Sequence, residues 1–323
     1  MDPNGPRAPG NSHEMFKNVS SAPVLLWLQG GPGASSLMAL FVENGPYILD
    51  TEGELQRRDI HWALNHNIIY LDNPAGTGFS FTDSDLGYAR NQTDVAENVY
   101  AALVQFFQLF PELQENDFYV TGESYGDYFY QLGLIDINAR ERFHQMEAEV
   151  VQAIREERWT DASNQSIAWV LVAADRGEDN ERFEYFINLN ASRLALHVGD
   201  REFHDSSEVS SYLYDDYMKS VKPWLEVLLE NYRVLMYNGQ LDIICAYPLT
   251  ANLLRNLEWS GADDYKTAER SQWLSGGKLA GFVKTAGNLT EILVRNAGHL
   301  VPTSQPAWSY DLITRFTSGL SYS

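Results

Sequence analysis

Apolar and polar positions along the 323-residue chain fall into two kinds of stretch. The first kind is a short, nearly unbroken apolar run that stops at glycine or a polar turn: "APVLLWLQGG" (22–31), "HNIIYLDNPAGTGFS" (66–80), "NDFYVTG" (116–122), "RVLMYNG" (233–239) and "LTEILVRN" (289–296). Such runs predict strands buried on both faces, each delivered into a loop. The second kind repeats every three to four residues. Val95, Val99, Leu103, Phe106 and Phe110 fall on one face of a helix within 93–113, with Thr93 or Asp94 as its N-cap and Pro111 as its end. Further helices are predicted at "KPWLEVLLENY" (222–232) and at "QPAWSYDLITRFTSG" (305–319), the latter closed by Gly319. Strand, helix and strand in succession predict an α/β fold with a mixed, mainly parallel sheet flanked by helices.

Residues 1–21 are polar and rich in Pro, Gly and Asn, and read as a flexible lead-in. The α/β pattern occupies 22–128 and 216–323. Between them, 129–215 changes character: "INARERFHQMEAEVVQAIREERW" is a charged amphipathic helix followed by weakly periodic sequence. That region is expected to be a helical, lid-like insertion rather than sheet core. No internal repeat or low-complexity tract interrupts the chain.

Composition narrows the partners. The formal net charge of −21 would repel phosphates over most of the surface, so a nucleic-acid partner is not expected. No stretch approaches the ~20 consecutive apolar residues of a membrane span. The N-terminus lacks the apolar core of a signal peptide, so the chain as it stands would be cytoplasmic. Five Asn-x-Ser/Thr sequons, at Asn18, Asn91, Asn164, Asn190 and Asn288, point instead to a glycosylated protein. The single cysteine, Cys245, rules out an intramolecular disulfide and sits in an apolar run, where a buried structural thiol is expected. Nothing calls for a metal or another cofactor.

The candidate chemistry lies at strand ends. "GESYG" (122–126) fits G-x-S-x-G, in which small residues at both ends permit the tight turn that lifts a serine oxygen clear of a sheet. Asp242 follows the strand "VLMYNG", and His299 follows the last strand in "ILVRNAGHLVP". Taken singly, Ser124 could be an ordinary turn serine, Asp242 a helix cap and His299 a surface histidine. Taken together they have the order nucleophile, acid, histidine, each in a loop after a strand, that an α/β-hydrolase uses.

"WLQGGPGASSL", "ENGPY", "NIIYLDNPAGTGFSFT", "NDFYVTGESYG", "YNGQLDIIC" and "NAGHLVP" together resemble the serine carboxypeptidases, most closely the vitellogenic-like branch. The likeness covers about 22–128 and 195–320. It implies that Ser124 attacks a peptide carbonyl, His299 shuttles the proton and Asp242 orients the imidazole. It also implies that the backbone N–H groups of Gly31 and Tyr125 form an oxyanion hole, a donor of that kind supplying roughly 3 kcal/mol. The substrate's C-terminal carboxylate would be met by Gln29, Gly30, Glu43 and Glu123, with Gln29 standing where many relatives have Asn. Two neighbouring carboxyls can bind a carboxylate only while they hold a proton, so activity at acid pH on peptides with a free C-terminus is expected. A secreted or lysosomal location is implied by the same resemblance; oligomeric state is not.

The resemblance also breaks. After Gly126 the family continues with a helix and a central strand, whereas "DYFYQLGLID" resembles sequence well beyond that strand. Several tens of residues are therefore expected to be absent at 126/127, leaving an incomplete sheet. The strands expected before residue 22 and a secretory leader are absent too. The sequence thus leaves two readings open: a serine carboxypeptidase, or an inactive relative that serves as a binding protein.

Overall fold

In the computed structural model, which describes residues 21–124, 149–164 and 178–322, the run VLLWL forms strand β1 (Val24–Leu28). Its first four side chains are fully buried, as an unbroken apolar run requires when both faces of a sheet are covered. At about 1.5–3 kcal/mol for each large aliphatic side chain, this burial makes β1 the spine of its sheet. A two-stranded ribbon, β2 (Tyr47–Leu49) and β3 (Leu55–Arg57), stands apart. β4 (Asn67–Tyr70) pairs in parallel with one edge of β1 and β5 (Phe118–Gly122) with the other, giving the order β4–β1–β5.

Helix α1 (Gln92–Leu109) joins β4 to β5. Its cap is neither Thr93 nor Asp94 but Asn91, whose side chain accepts the N–H groups of both. Asp94 reaches back instead to accept the backbone N–H of Arg90, so that an acid in the first turn satisfies a donor just outside the helix. Phe110 lies beyond the helical end and is exposed, whereas the other four residues of the expected face are half-buried.

Helices α2 (Glu178–Asn188), α3 (Asn190–Ala195), α4 (Ser207–Tyr212) and α5 (Lys222–Asn231) lead into the second sheet. It begins with β6 (Val234–Gly239), followed by α6 (Tyr247–Arg255) and α7 (Ala262–Thr267). β7 (Ser271–Ser275), β8 (Lys278–Ala286) and β9 (Leu289–Val294) complete it in the order β6–β9–β8–β7, with only β6 and β9 parallel. The β7–β8 hairpin turns on Gly276 and Gly277, both at positive φ, the geometry that a two-residue hairpin loop demands. α8 (Val301–Ser304) and α9 (Pro306–Thr317) close the chain, with Gly319 at φ +64 just past the last turn.

Among the described residues no strand pairing joins β5 to β6, so the sheet is split in two. On one side of this seam the halves share a core. Leu25 and Trp27 of β1, Tyr119 of β5, Leu235 and Tyr237 of β6, and Ile292 and Val294 of β9 all pack with Leu312, Ile313 and Phe316 of α9. Tyr119 also donates its hydroxyl to the carbonyl of Thr317 at the end of that helix. On the other side the neighbouring faces are bare. Val120 of β5 is 64% exposed, and α5 presents Trp224, Val227, Leu228 and Tyr232 as an apolar stripe to solvent. A strand face and an amphipathic helix face are thus left exposed here.

A double substitution Trp224→Lys, Val227→Lys should therefore leave the melting temperature within about 3 °C of the parent, because it removes no buried contact. It should raise the protein concentration at which static light scattering first reports aggregation. A fall in melting temperature of 8 °C or more would mean that this stripe is packed in the native protein (~8 °C exceeds what an exposed site gives).

Candidate active site

Ser124 lies two residues beyond β5 at φ 105, on the left-handed side of the backbone map that a serine seldom occupies. The strain is held from outside. Gly30, in the loop after β1, packs so closely that a Cβ there would come within 2.5 Å of Ser124 Cβ and 2.7 Å of the Glu123 carbonyl oxygen. The turn leaves Ser124 exposed and raised above the end of the strand.

The other two predicted residues come from the second sheet. Asp242 follows β6 by three residues and is nearly fully buried; its Oδ1 accepts the backbone N–H groups of Ile244 and Cys245, each at 2.9 Å. Its two oxygens lie 3.1 and 3.0 Å from His299 Nδ1. His299 Nε2 lies 2.9 Å from Ser124 Oγ. With Nδ1–H donated to the carboxylate, Nε2 is the ring atom left to accept the serine proton. The three side chains expected to act together are brought into one hydrogen-bonded line.

Gly31 is at φ +115, and a Cβ on it would meet the Ala34 amide at 2.8 Å, so the loop beside Ser124 can be closed only by glycine. Tyr125, the other expected oxyanion donor, lies outside the described residues.

A second cluster stands behind the serine. Glu43 ends the helical turn Ala39–Glu43 and is buried. Gln29 donates Nε2–H to its Oε1 at 3.0 Å, while the indole N–H of Trp27 donates to Gln29 Oε1 at 2.7 Å and so orients the amide. Arg58 does not pair with the carboxylate. Its guanidinium donates to the backbone carbonyls of Val42 and Glu43, fixing the turn that presents the side chain. Neither Arg58 nor Trp27 is singled out by the sequence: Arg58 lies in no motif, and Trp27 opens "WLQGGPGASSL" as one more apolar strand residue. Glu43 Oε2 and both carboxyl oxygens of Glu123 are buried with no hydrogen-bond donor.

These carboxyls hold their protons more tightly than isolated ones. Burial raises Glu43 to about 7, opposed chiefly by the Gln29 hydrogen bond. Burial, then the charge of Glu43 and that of Asp242, push Glu123 well above the ordinary carboxylate range. Two acids in one dry pocket hold at least one proton between them at mildly acid pH.

Cys245 departs from the expectation of a buried thiol. It is half-buried in the turn after Asp242, and its sulfur lies within 4.8 Å of the ligand-type atoms of Asp242 and His299. We assign no metal to this trio, because the Asp242 oxygens and His299 Nδ1 are already spent on each other. Of the sequons, Asn164 and Asn190 are exposed. Asn91 and Asn288 are half-buried and use their amide nitrogens on Asp94 and on the Leu229 carbonyl. Asn18 lies outside the described residues.

A mainly parallel sheet with flanking helices, carrying serine, aspartate and histidine in that order beyond β5, β6 and β9, defines an α/β-hydrolase fold. Its family follows from the sequence comparison. The chain belongs to the serine carboxypeptidase family, which it matches over residues 12–133 and 142–319, and is a hydrolase of the exopeptidase class. It is 43% identical to the venom serine carboxypeptidase of Apis mellifera, over 92% of this chain and 78% of that protein. It is 38% identical to the vitellogenic carboxypeptidase of Aedes aegypti, over 93% of this chain and 78% of that one. The bee alignment spans 364 positions, more than the 323 residues of this chain, so that relative carries residues within the matched span that have no counterpart here. The fold is also that of a prohormone-processing carboxypeptidase from Saccharomyces cerevisiae, with a TM-score of 0.78 at 19% identity, covering 93% of this chain and 83% of that one.

The raised carboxyls make stability depend on pH. A buried acid whose pKa rises on folding stabilises the fold fully below its unfolded value, and that contribution is lost as pH rises through the folded value. For Glu43 this window runs from 4.5 to about 7. The denaturation midpoint should fall across that window in the parent and stay nearly level in Glu43→Gln, Glu123→Gln. Parallel curves for the two proteins in urea titrations would show that the pair ionises freely.

Proposed function

We propose that Ser124, His299 and Asp242 hydrolyse the C-terminal peptide bond of peptides through an acyl-enzyme. The observation that carries this reading is the 2.9 Å approach of His299 Nε2 to Ser124 Oγ, with Nδ1 held on Asp242. His299 takes the hydroxyl proton as Ser124 Oγ bonds to the substrate carbonyl carbon, and returns it to the departing amine as the peptide C–N bond breaks. Water then repeats the cycle on the ester, releasing the shortened peptide. The N–H of Gly31, with that of Tyr125, stabilises the oxyanion, which supplies roughly 3 kcal/mol for each donor.

Gln29, Gly30, Glu43 and Glu123 receive the substrate's terminal carboxylate, which makes the enzyme an exopeptidase. A protonated carboxyl donates to an incoming carboxylate, whereas an ionised one repels it, so substrate binding weakens as Glu43, raised to about 7, loses its proton. Of the region expected to form a lid, α4 serves as its base against the glycine loop; in support, Ser210 Oγ donates to the Pro32 carbonyl. A secretory or lysosomal route, with glycans at the exposed Asn164 and Asn190, fits relatives that include a venom enzyme. The alternative of an inactive binding protein is disfavoured by the assembled serine–histidine–aspartate line.

A fluorophosphonate probe should label Ser124 in the native protein, and neither the heat-denatured protein nor Ser124→Ala. A peptide with a free C-terminus should be trimmed faster at pH 5 than at pH 8, with the change mainly in KM, while its C-terminal amide should be a poor substrate at both. Absence of native labelling in a cooperatively folded sample would sink the enzyme reading.

A further inference from the structure

The loop that carries Gly30 and Gly31 is held by a side chain from another strand. Asp72 follows β4 by two residues, on the opposite side of β1 from β5 and Ser124. Its Oδ1 accepts the hydroxyl of Ser35 at 2.6 Å and the backbone N–H of Ser36 at 3.0 Å. Its Oδ2 accepts the N–H of Phe79 at 2.9 Å, from the far end of its own glycine-rich loop. Gly78 makes room for this carboxylate, since a Cβ there would lie 2.1 Å from Oδ2. Ser36 continues the connection: its hydroxyl donates to the Leu71 carbonyl at 2.7 Å and accepts the Gln29 N–H at 3.1 Å.

Ser35 and Ser36 also begin the turn that leads to Glu43, their carbonyls accepting the N–H groups of Met38 and Ala39. We propose that Asp72 is the positioning residue of the active site, one carboxylate that clips the Gly30–Gly31 loop and the Glu43 turn to the scaffold together. Asp72 touches no reacting atom. It acts through Ser35 and Ser36, and its charge makes all three bonds stronger than a neutral acceptor would. The loop needs such an anchor because its glycines give it no rigidity of its own, and oxyanion donors act only when they are held in place beforehand.

This inference rests on the proposed roles of Gly31 and Glu43, and its test separates the two. Asp72→Asn keeps an acceptor for Ser35 and Ser36 but turns an NH2 group towards the Phe79 N–H, setting donor against donor. Hydrogen exchange by mass spectrometry should show amides of residues 31–39 exchanging at least about tenfold faster in Asp72→Asn, with β6 and β9 unchanged. Labelling of Ser124 by the fluorophosphonate, well below the melting temperature, should slow about 10–100-fold. Ser35→Ala, the milder change, should give a smaller effect in the same direction, and Ser35→Thr, which keeps the hydroxyl, should restore the parent rate.

Unchanged exchange at 31–39 in both Asp72→Asn and Ser35→Ala would overturn the clip, whether or not the enzyme is active. Faster exchange with an unchanged labelling rate would overturn its role in catalysis. A parent protein that is not labelled at all would count against the proposed function, while the exchange data would still decide the clip.

Discussion

Ser124 follows a strand of one sheet, Asp242 and His299 follow strands of another, and among the described residues no strand pairing joins the two. What keeps them in register is the packing of α9 across the seam. Leu312, Ile313 and Phe316 press on side chains from both halves at once, Tyr119 reaches the helix end, and Arg233 at the start of β6 lies over the Phe316 ring 5.0 Å from its centre. An ordinary α/β sheet sets the distance between its strands by backbone hydrogen bonds. Here the approach of Ser124 to His299 is set by interdigitated side chains, which in a close-packed interior are stiff enough for the task.

The electrostatic design depends on the same dryness. A molecule with 44 acidic and 23 basic residues could have neutralised Glu43 and Glu123 with a cation, yet Arg58 is turned to the backbone instead. Burial outweighs the charges of His299 and Arg58, which still pull Glu43 down, and keeps it protonated where an isolated glutamate would have ionised. Gln29, locked by Trp27, is the neutral donor that remains. The outcome is a polar cluster whose charge changes when the proton leaves.

Much of this could be read from the chain before its structure. Strands that are buried on both faces write themselves as unbroken apolar runs, and catalytic residues at their ends sit next to glycines that announce the turns; hence Ser124, Asp242, His299 and Gly31 were legible. Less legible were features set by contacts between distant segments. Asn91 caps α1 because Asp94 is drawn back to Arg90, a competition that propensity does not decide. Cys245 stands beside His299 because the turn after Asp242 folds over its own carboxylate. The β7–β8 hairpin alternates rather than running apolar, and Asp72 looks like any loop acid until Ser35 is found against it.

Among the described residues, the geometry of the site is set close to it. Ser124 owes its strained backbone to Gly30, Asp242 its orientation to two amides of its own turn, and His299 its tautomer to Asp242. Each of these determinants is local to a strand end or belongs to a neighbouring loop. Val120, Trp224 and Val227 stay exposed nearby, which bears on solubility. Chemistry at strand ends and cohesion across the sheet are therefore separable, provided one helix such as α9 spans the break.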